Sequence, residues 1–216
     1  MNQQAIRYRL LAFTLGAILL VIGDYLYGTT YYTDQPGSPN RFLISGLLGI
    51  AASASYLFGL FGYSNALREQ YPLYRNLIVG GLSFFTLGVA ATHTLASAHM
   101  VVFNQRLLTP SVKELDLVFT PIDYSYEVYF IPMIIGLIVG YGALFIAILR
   151  RKTVFAPWTL WFHPLLLAVI IGLLDTWIKN YPVLLKSPAI SAVVFNTVLI
   201  LSTKKQRVSD SSNTYA

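Results

Sequence analysis

Among the ionisable side chains that stand inside apolar stretches of the sequence, where charge is costly, Asp24, His93 and Asp175 could act together. Placing such a group within a membrane span costs at least roughly 2.5 kcal/mol, so each is a functional candidate by default. A histidine flanked by carboxylates suits general-base chemistry, because the carboxylate raises imidazole basicity and fixes its tautomer. In a catalytic reading His93 is the base, and Asp24 or Asp175 orients it or shares a metal with it. A divalent metal held through imidazole nitrogen and carboxylate oxygen is compatible with the same set. His99 extends the set poorly, since it follows His93 by about 240° around a helix. There is no H-E-x-x-H, no G-x-S-x-G and no paired-Asp phosphate motif. With no nucleophile motif, binding or transport ranks ahead of catalysis.

These side chains must be positioned by helices in a lipid-like solvent. Of 216 residues, 56% are hydrophobic and only 11% charged, against about 25% charged in an average soluble domain. That balance excludes a disordered chain and a nucleic-acid module, and it argues against an ordinary soluble enzyme. The chain has no cysteine, hence no disulfide framework, thiolate nucleophile or Cys-ligated zinc. Apolar runs near 20 residues are long enough to cross a hydrocarbon core of roughly 30 Å. Six occur, at 10–28, 42–63, 77–102, 128–149, 157–178 and 184–202. The reading is therefore an all-α, polytopic bundle of six transmembrane helices forming a single domain over 1–203. A polar tail, 204–216, follows and is expected to be a short disordered end. The first run follows Arg7 and Arg9 as a signal peptide would, but reaches Gly23-Asp24-Tyr25 without an A-x-A-like cleavage site. It is expected to be a retained first helix.

Basic residues set the orientation. With a cytoplasmic N-terminus, ten fall inside: Arg7, Arg9, Arg68, Arg75, Arg150, Arg151, Lys152, Lys204, Lys205 and Arg207. Five fall outside: Arg41, Arg106, Lys113, Lys179 and Lys186. Both termini are expected in the cytoplasm, in a multi-pass protein of the cell membrane. Asp24 then lies about 6 Å below the outer end of its span, and His93 and Asp175 fall in the same leaflet. Glu127, His99, Tyr25, Tyr126 and Tyr129 would stand at the rim of the pocket these three enclose. Eight outer tyrosines, which also include Tyr27, Tyr31, Tyr32, Tyr124 and Tyr181, form an aromatic belt or wall the pocket. On the outer side, Ser111-Val112-Lys113-Glu114 fits a capping box, and an amphipathic surface helix is expected over 112–119. His163-Pro164 reads as a structural kink near the inner end of the fifth span, and Asn196 as glue between helices. Small residues at Gly46, Gly49 and Ser53, at Gly80, Gly81 and Gly88, and at Gly136 and Gly140 read as sites of close helix packing.

The stretches Gly23-Asp24-Tyr25-Leu26-Tyr27-Gly28, Ser45-Gly46-Leu47-Leu48-Gly49 and Tyr56-Leu57-Phe58-Gly59-Leu60 resemble a family of small prokaryotic integral membrane proteins of unknown function. The resemblance covers the first two spans and, less clearly, His93. It implies six helices and no established activity, cofactor or oligomeric state. The seven-helix membrane hydrolases that join His, Asp and Ser around zinc differ from this chain, which has one span fewer and no H-x-x-x-H. Three functions then compete. One is an outer-leaflet pocket that binds or transports a small solute or lipid headgroup. The second is a membrane-embedded hydrolase or transferase. The third is an accessory subunit whose charges only fix helix pairing.

Overall fold

A computed structural model describes residues 3–33, 36–67, 71–109, 114–177 and 189–212. Among them the regular structure is helical: α1 (Gln3–Thr33), α2 (Pro39–Ala66), α3 (Pro72–Leu108), α4 (Glu114–Leu149), a 3-10 helix (Pro157–Phe162), α5 (Pro164–Trp177) and α6 (Ala189–Ser212). Four of these are long and apolar enough to cross a membrane, over Gln3–Thr30, Pro39–Ala66, Pro72–Leu108 and Val128–Leu149. Two shorter apolar helical stretches follow, Pro157–Ile171 and Ala189–Thr203.

The apolar character extends to the outward faces, as expected of a membrane protein. On α1, Ile6, Leu10, Phe13, Ala17 and Leu20 are buried at helical spacing, while Leu11, Leu15, Ile18 and Ile22 are exposed on the opposite side. A soluble helix would place charge there. Proline occupies the first turn of α2 and of α3, where its missing N–H is one the helix does not use.

Sequential helices are neighbours through α4, and α6 returns to pack on α1. The 3-10 helix and α5 bridge from α4 to α6 and close the ring. Small residues set the closest approaches. A Cβ at Gly81 would collide with the backbone of Gly140, and one at Gly136 with the backbone of Phe85, so α3 and α4 touch main chain to main chain. Gly80, expected in the same seam, has nothing within 4 Å of such a Cβ and faces outward. The centre of the bundle is aromatic: Phe13 leans on Tyr56 at 4.3 Å between ring centroids and meets Tyr63 edge-on at 5.2 Å. The Tyr63 hydroxyl donates to Asn196 Oδ1, and Asn196 Nδ2 donates to Ala192 O, so Asn196 does tie α6 to α2.

Three sequence expectations change in the structure. The fifth apolar run is not one helix: it begins as the 3-10 helix and restarts as α5 at Pro164, with His163 in extended backbone between them. Proline cannot donate to a preceding turn but is well placed to begin a new one. The outer amphipathic segment is not a separate element. From Glu114 onward it is the first part of α4, which runs unbroken through Pro121 and Pro132, and the Ser111–Lys113 part of its capping box lies outside the described residues. The tail is helical rather than disordered as far as Ser212, since no glycine or proline interrupts the sequence after Ala189.

Candidate functional site

The polar pair that the sequence places in one leaflet meets in space. His93 Nε2 lies 3.1 Å from Asp24 Oδ1, joining α3 to α1, with both side chains largely buried. Room for the imidazole comes from two glycines. A Cβ at Gly49 of α2 would overlap the Cβ of His93, and one at Gly23 of α1 would sit 3.5 Å from its ring. Ser45 ties the same level together by donating to the carbonyl of Gly23 at 2.9 Å. Tyr27, one turn beyond Asp24, meets the imidazole edge-on at 6.1 Å.

Asp24 and His93 form one end of a partly enclosed cavity of about 330 Å³. Every α-helix contributes to its wall. Along α3 the lining runs from Phe85 to Ala96, about 16 Å of helix, so the cavity is elongated along the bundle. Asp24, Tyr27, Thr92, His93 and Ser191 gather toward one end, Tyr56 and Tyr141 add hydroxyl-bearing rings elsewhere in the wall, and Leu20, Val89, Met133 and Leu137 are among the apolar lining. Tyr141 also lines it, and its ring stands edge-on to His163 at 5.7 Å. His163 itself is fully buried among Tyr141, Phe145 and Phe195. Its Nδ1 faces the N–H of Leu165 at 3.4 Å, which supports the reading of His163-Pro164 as a structural break.

The remaining site candidates divide clearly. Tyr25 and Tyr129 are 44% and 49% exposed and do not line the cavity. His99 stacks on Phe103, with ring centroids 6.3 Å apart, and is likewise off the wall. Asp175 falls two residues before the end of α5, and Glu127 and Tyr126 fall within α4; their side chains lie outside the described residues. Tyr56, Thr92 and Ser191 are lining residues that the sequence reading did not single out. Their only signal is a polar residue on the inward face of an apolar helix, and that signal is shared by many helix-packing positions. Gly49 reads as an ordinary packing glycine and Gly23 only as part of the Gly23–Gly28 stretch, yet both provide the space for His93. Among the described residues, no three His, Asp or Glu side chains gather into a metal-binding set.

In its present packing the imidazole is paired on one side and enclosed on the other. Nε2 faces Asp24, and Nδ1 is buried without a hydrogen-bond partner beside Gly23 and Gly49. A general base needs a nitrogen that faces the reacting group. As packed, neither nitrogen is set to take a proton from a group in the cavity.

Residues 1–203 match DUF6796, a family of unknown function, and the chain belongs to that family. No curated protein and no solved structure matches it.

Proposed function

We propose that this member of a family of unknown function is a six-span protein of the cell membrane, with both termini cytoplasmic, that binds or transports a small amphiphilic solute or lipid headgroup. The observation that carries the reading is the Asp24–His93 pair at the polar end of an otherwise largely apolar cavity. Ligand sites are commonly apolar cavities of about 300–1,000 Å³ with a few convergent polar groups. The Asp24 carboxylate at the cavity wall favours a cationic or hydrogen-bond-donating head, with the apolar portion of the ligand lying along Val89, Met133 and Leu137.

A hydrolase or transferase built on His93, Asp24 and Asp175 would have to turn the imidazole away from the two glycines before it acts as a base. An accessory role explains the contact between His93 and Asp24 but assigns nothing to the cavity beside it. Binding accounts for both.

The test uses protein in phosphatidylcholine nanodiscs and three dodecyl amphiphiles, bearing trimethylammonium, maltoside or sulfate heads. The trimethylammonium form is expected to bind about tenfold more tightly than the sulfate, a difference of about 1.4 kcal/mol. Asp24→Asn should erase that preference, and Ala192→Phe, which fills the apolar wall, should weaken all three. Equal binding of the three heads to the parent, or unchanged binding by Ala192→Phe, defeats the proposal.

A further inference from the structure

At the opposite end of the bundle from the Asp24–His93 pair, the turn after α4 collects positive charge in a strained and tethered form. The N–H of Lys152 donates to Ala147 O at 2.8 Å and that of Arg151 to Ile148 O at 2.9 Å. These two bonds define a Schellman helix end, in which the residue after the cap adopts left-handed backbone and is usually glycine. Here it is Arg151, at φ 54°, among the described residues the only non-glycine with positive φ. A side chain in that conformation incurs steric strain that glycine avoids.

The neighbouring cations are anchored by tyrosines, and among the described residues no carboxylate pairs with them. Lys152 Nζ donates to the hydroxyl of Tyr71 and sits 4.2 Å above its ring centroid. Arg150 Nη1 donates to the hydroxyl of Tyr74 at 3.3 Å. The two tyrosine rings meet edge-on at 6.4 Å, so Lys152 and Arg150 are drawn to adjoining supports. The turn is fixed in place by Val154 N donating to Ala66 O at 3.0 Å and by an isolated bridge between Leu67 and Thr153. Arg75, one turn along α3 from Tyr71, is exposed at the same end. Glu69 belongs to the facing turn in sequence and lies outside the described residues. Trp158 and Trp161 follow on the 3-10 helix, 50% and 75% exposed, as interfacial anchors commonly are.

We infer that Arg75, Arg150, Arg151 and Lys152, with Tyr71 and Tyr74, form a binding site for the headgroup of an anionic phospholipid in the cytoplasmic leaflet. A general excess of cytoplasmic Lys and Arg accounts for basic residues in this turn. It does not account for an arginine in the conformation that glycine favours, nor for two cations tethered side by side on tyrosine hydroxyls. A phosphodiester supplies a counter-charge, accepting from the guanidinium groups and pairing with the ammonium. Juxtamembrane cations attract anionic lipid in the same way elsewhere. The site is separate from the cavity and does not depend on what the cavity binds.

The experiment is native mass spectrometry of the full chain in detergent, offered phosphatidylglycerol or phosphatidylcholine with identical acyl chains. Phosphatidylglycerol should be retained preferentially, and Arg150→Gln with Lys152→Gln should weaken its retention roughly 25-fold. Arg151→Gly should weaken it about fivefold while Tm stays equal or rises, because glycine relieves the strained φ. That variant separates loss of binding from loss of folding. Equal retention of the two lipids, or unchanged phosphatidylglycerol retention in the double variant with its Tm preserved, overturns the inference. Displacement of bound phosphatidylglycerol by inorganic phosphate alone would assign the site to a soluble anion and overturn it as well.

Discussion

His93 Nε2 and Asp24 Oδ1 meet at 3.1 Å across a seam where α1 and α3 otherwise make little contact. The pair therefore joins two helices that α2 largely separates. Its geometry depends on glycines at the crossing, and it borders the cavity.

Removing one partner leaves the other in a weakly solvated place. In a double-mutant cycle of Asp24→Ala and His93→Ala, an interaction energy of about 1–3 kcal/mol is expected. Reversible unfolding in mixed micelles measures it. Single losses that simply add would mean that the two side chains do not support each other.

Gly49 should tolerate no side chain while His93 keeps its position. Gly49→Ala is expected to cost about 1–3 kcal/mol, because its Cβ would overlap that of His93. Gly80→Ala is the control: with nothing within 4 Å it should be neutral or stabilising by up to about 1 kcal/mol, from helix propensity alone. Equal melting temperatures for the two variants would contradict the packing described for His93.

The bond from Tyr63 to Asn196 is buried at both ends. Tyr63→Phe leaves the amide oxygen without its donor and should destabilise the protein by about 1–3 kcal/mol. Thermal unfolding monitored by circular dichroism tests this. An unchanged midpoint would show that the amide finds another partner.

For the proposed topology, single cysteines at Ser111 and Ser211 should react with impermeant maleimide from opposite sides of the membrane in intact cells. The absence of native cysteine makes the experiment clean. Labelling from the same side would refute six crossings with both termini cytoplasmic.

Much of the architecture is legible in the sequence because the forces behind it are local. A run of apolar residues specifies a helix compatible with lipid wherever its neighbours lie, and α1, α2 and α3 contain the first three expected runs. Asp24 and His93 are likewise conspicuous as charged or ionisable groups within such runs. Which residues meet was settled only by tertiary structure, because helix rotation decides which face turns inward. Tyr25 and Tyr27 differ by about 200° around α1, and only Tyr27 reaches the cavity. Hydropathy does not distinguish them, because the outward face of α1 is apolar as well. The same limit applies to Gly49 and Gly80: both read as small packing residues, yet one admits the histidine and the other faces outward. Composition and run length determined the helices and their apolar character. The close approach of α1, α2 and α3, permitted by missing side chains, decided that a carboxylate and an imidazole from separate helices would share one site.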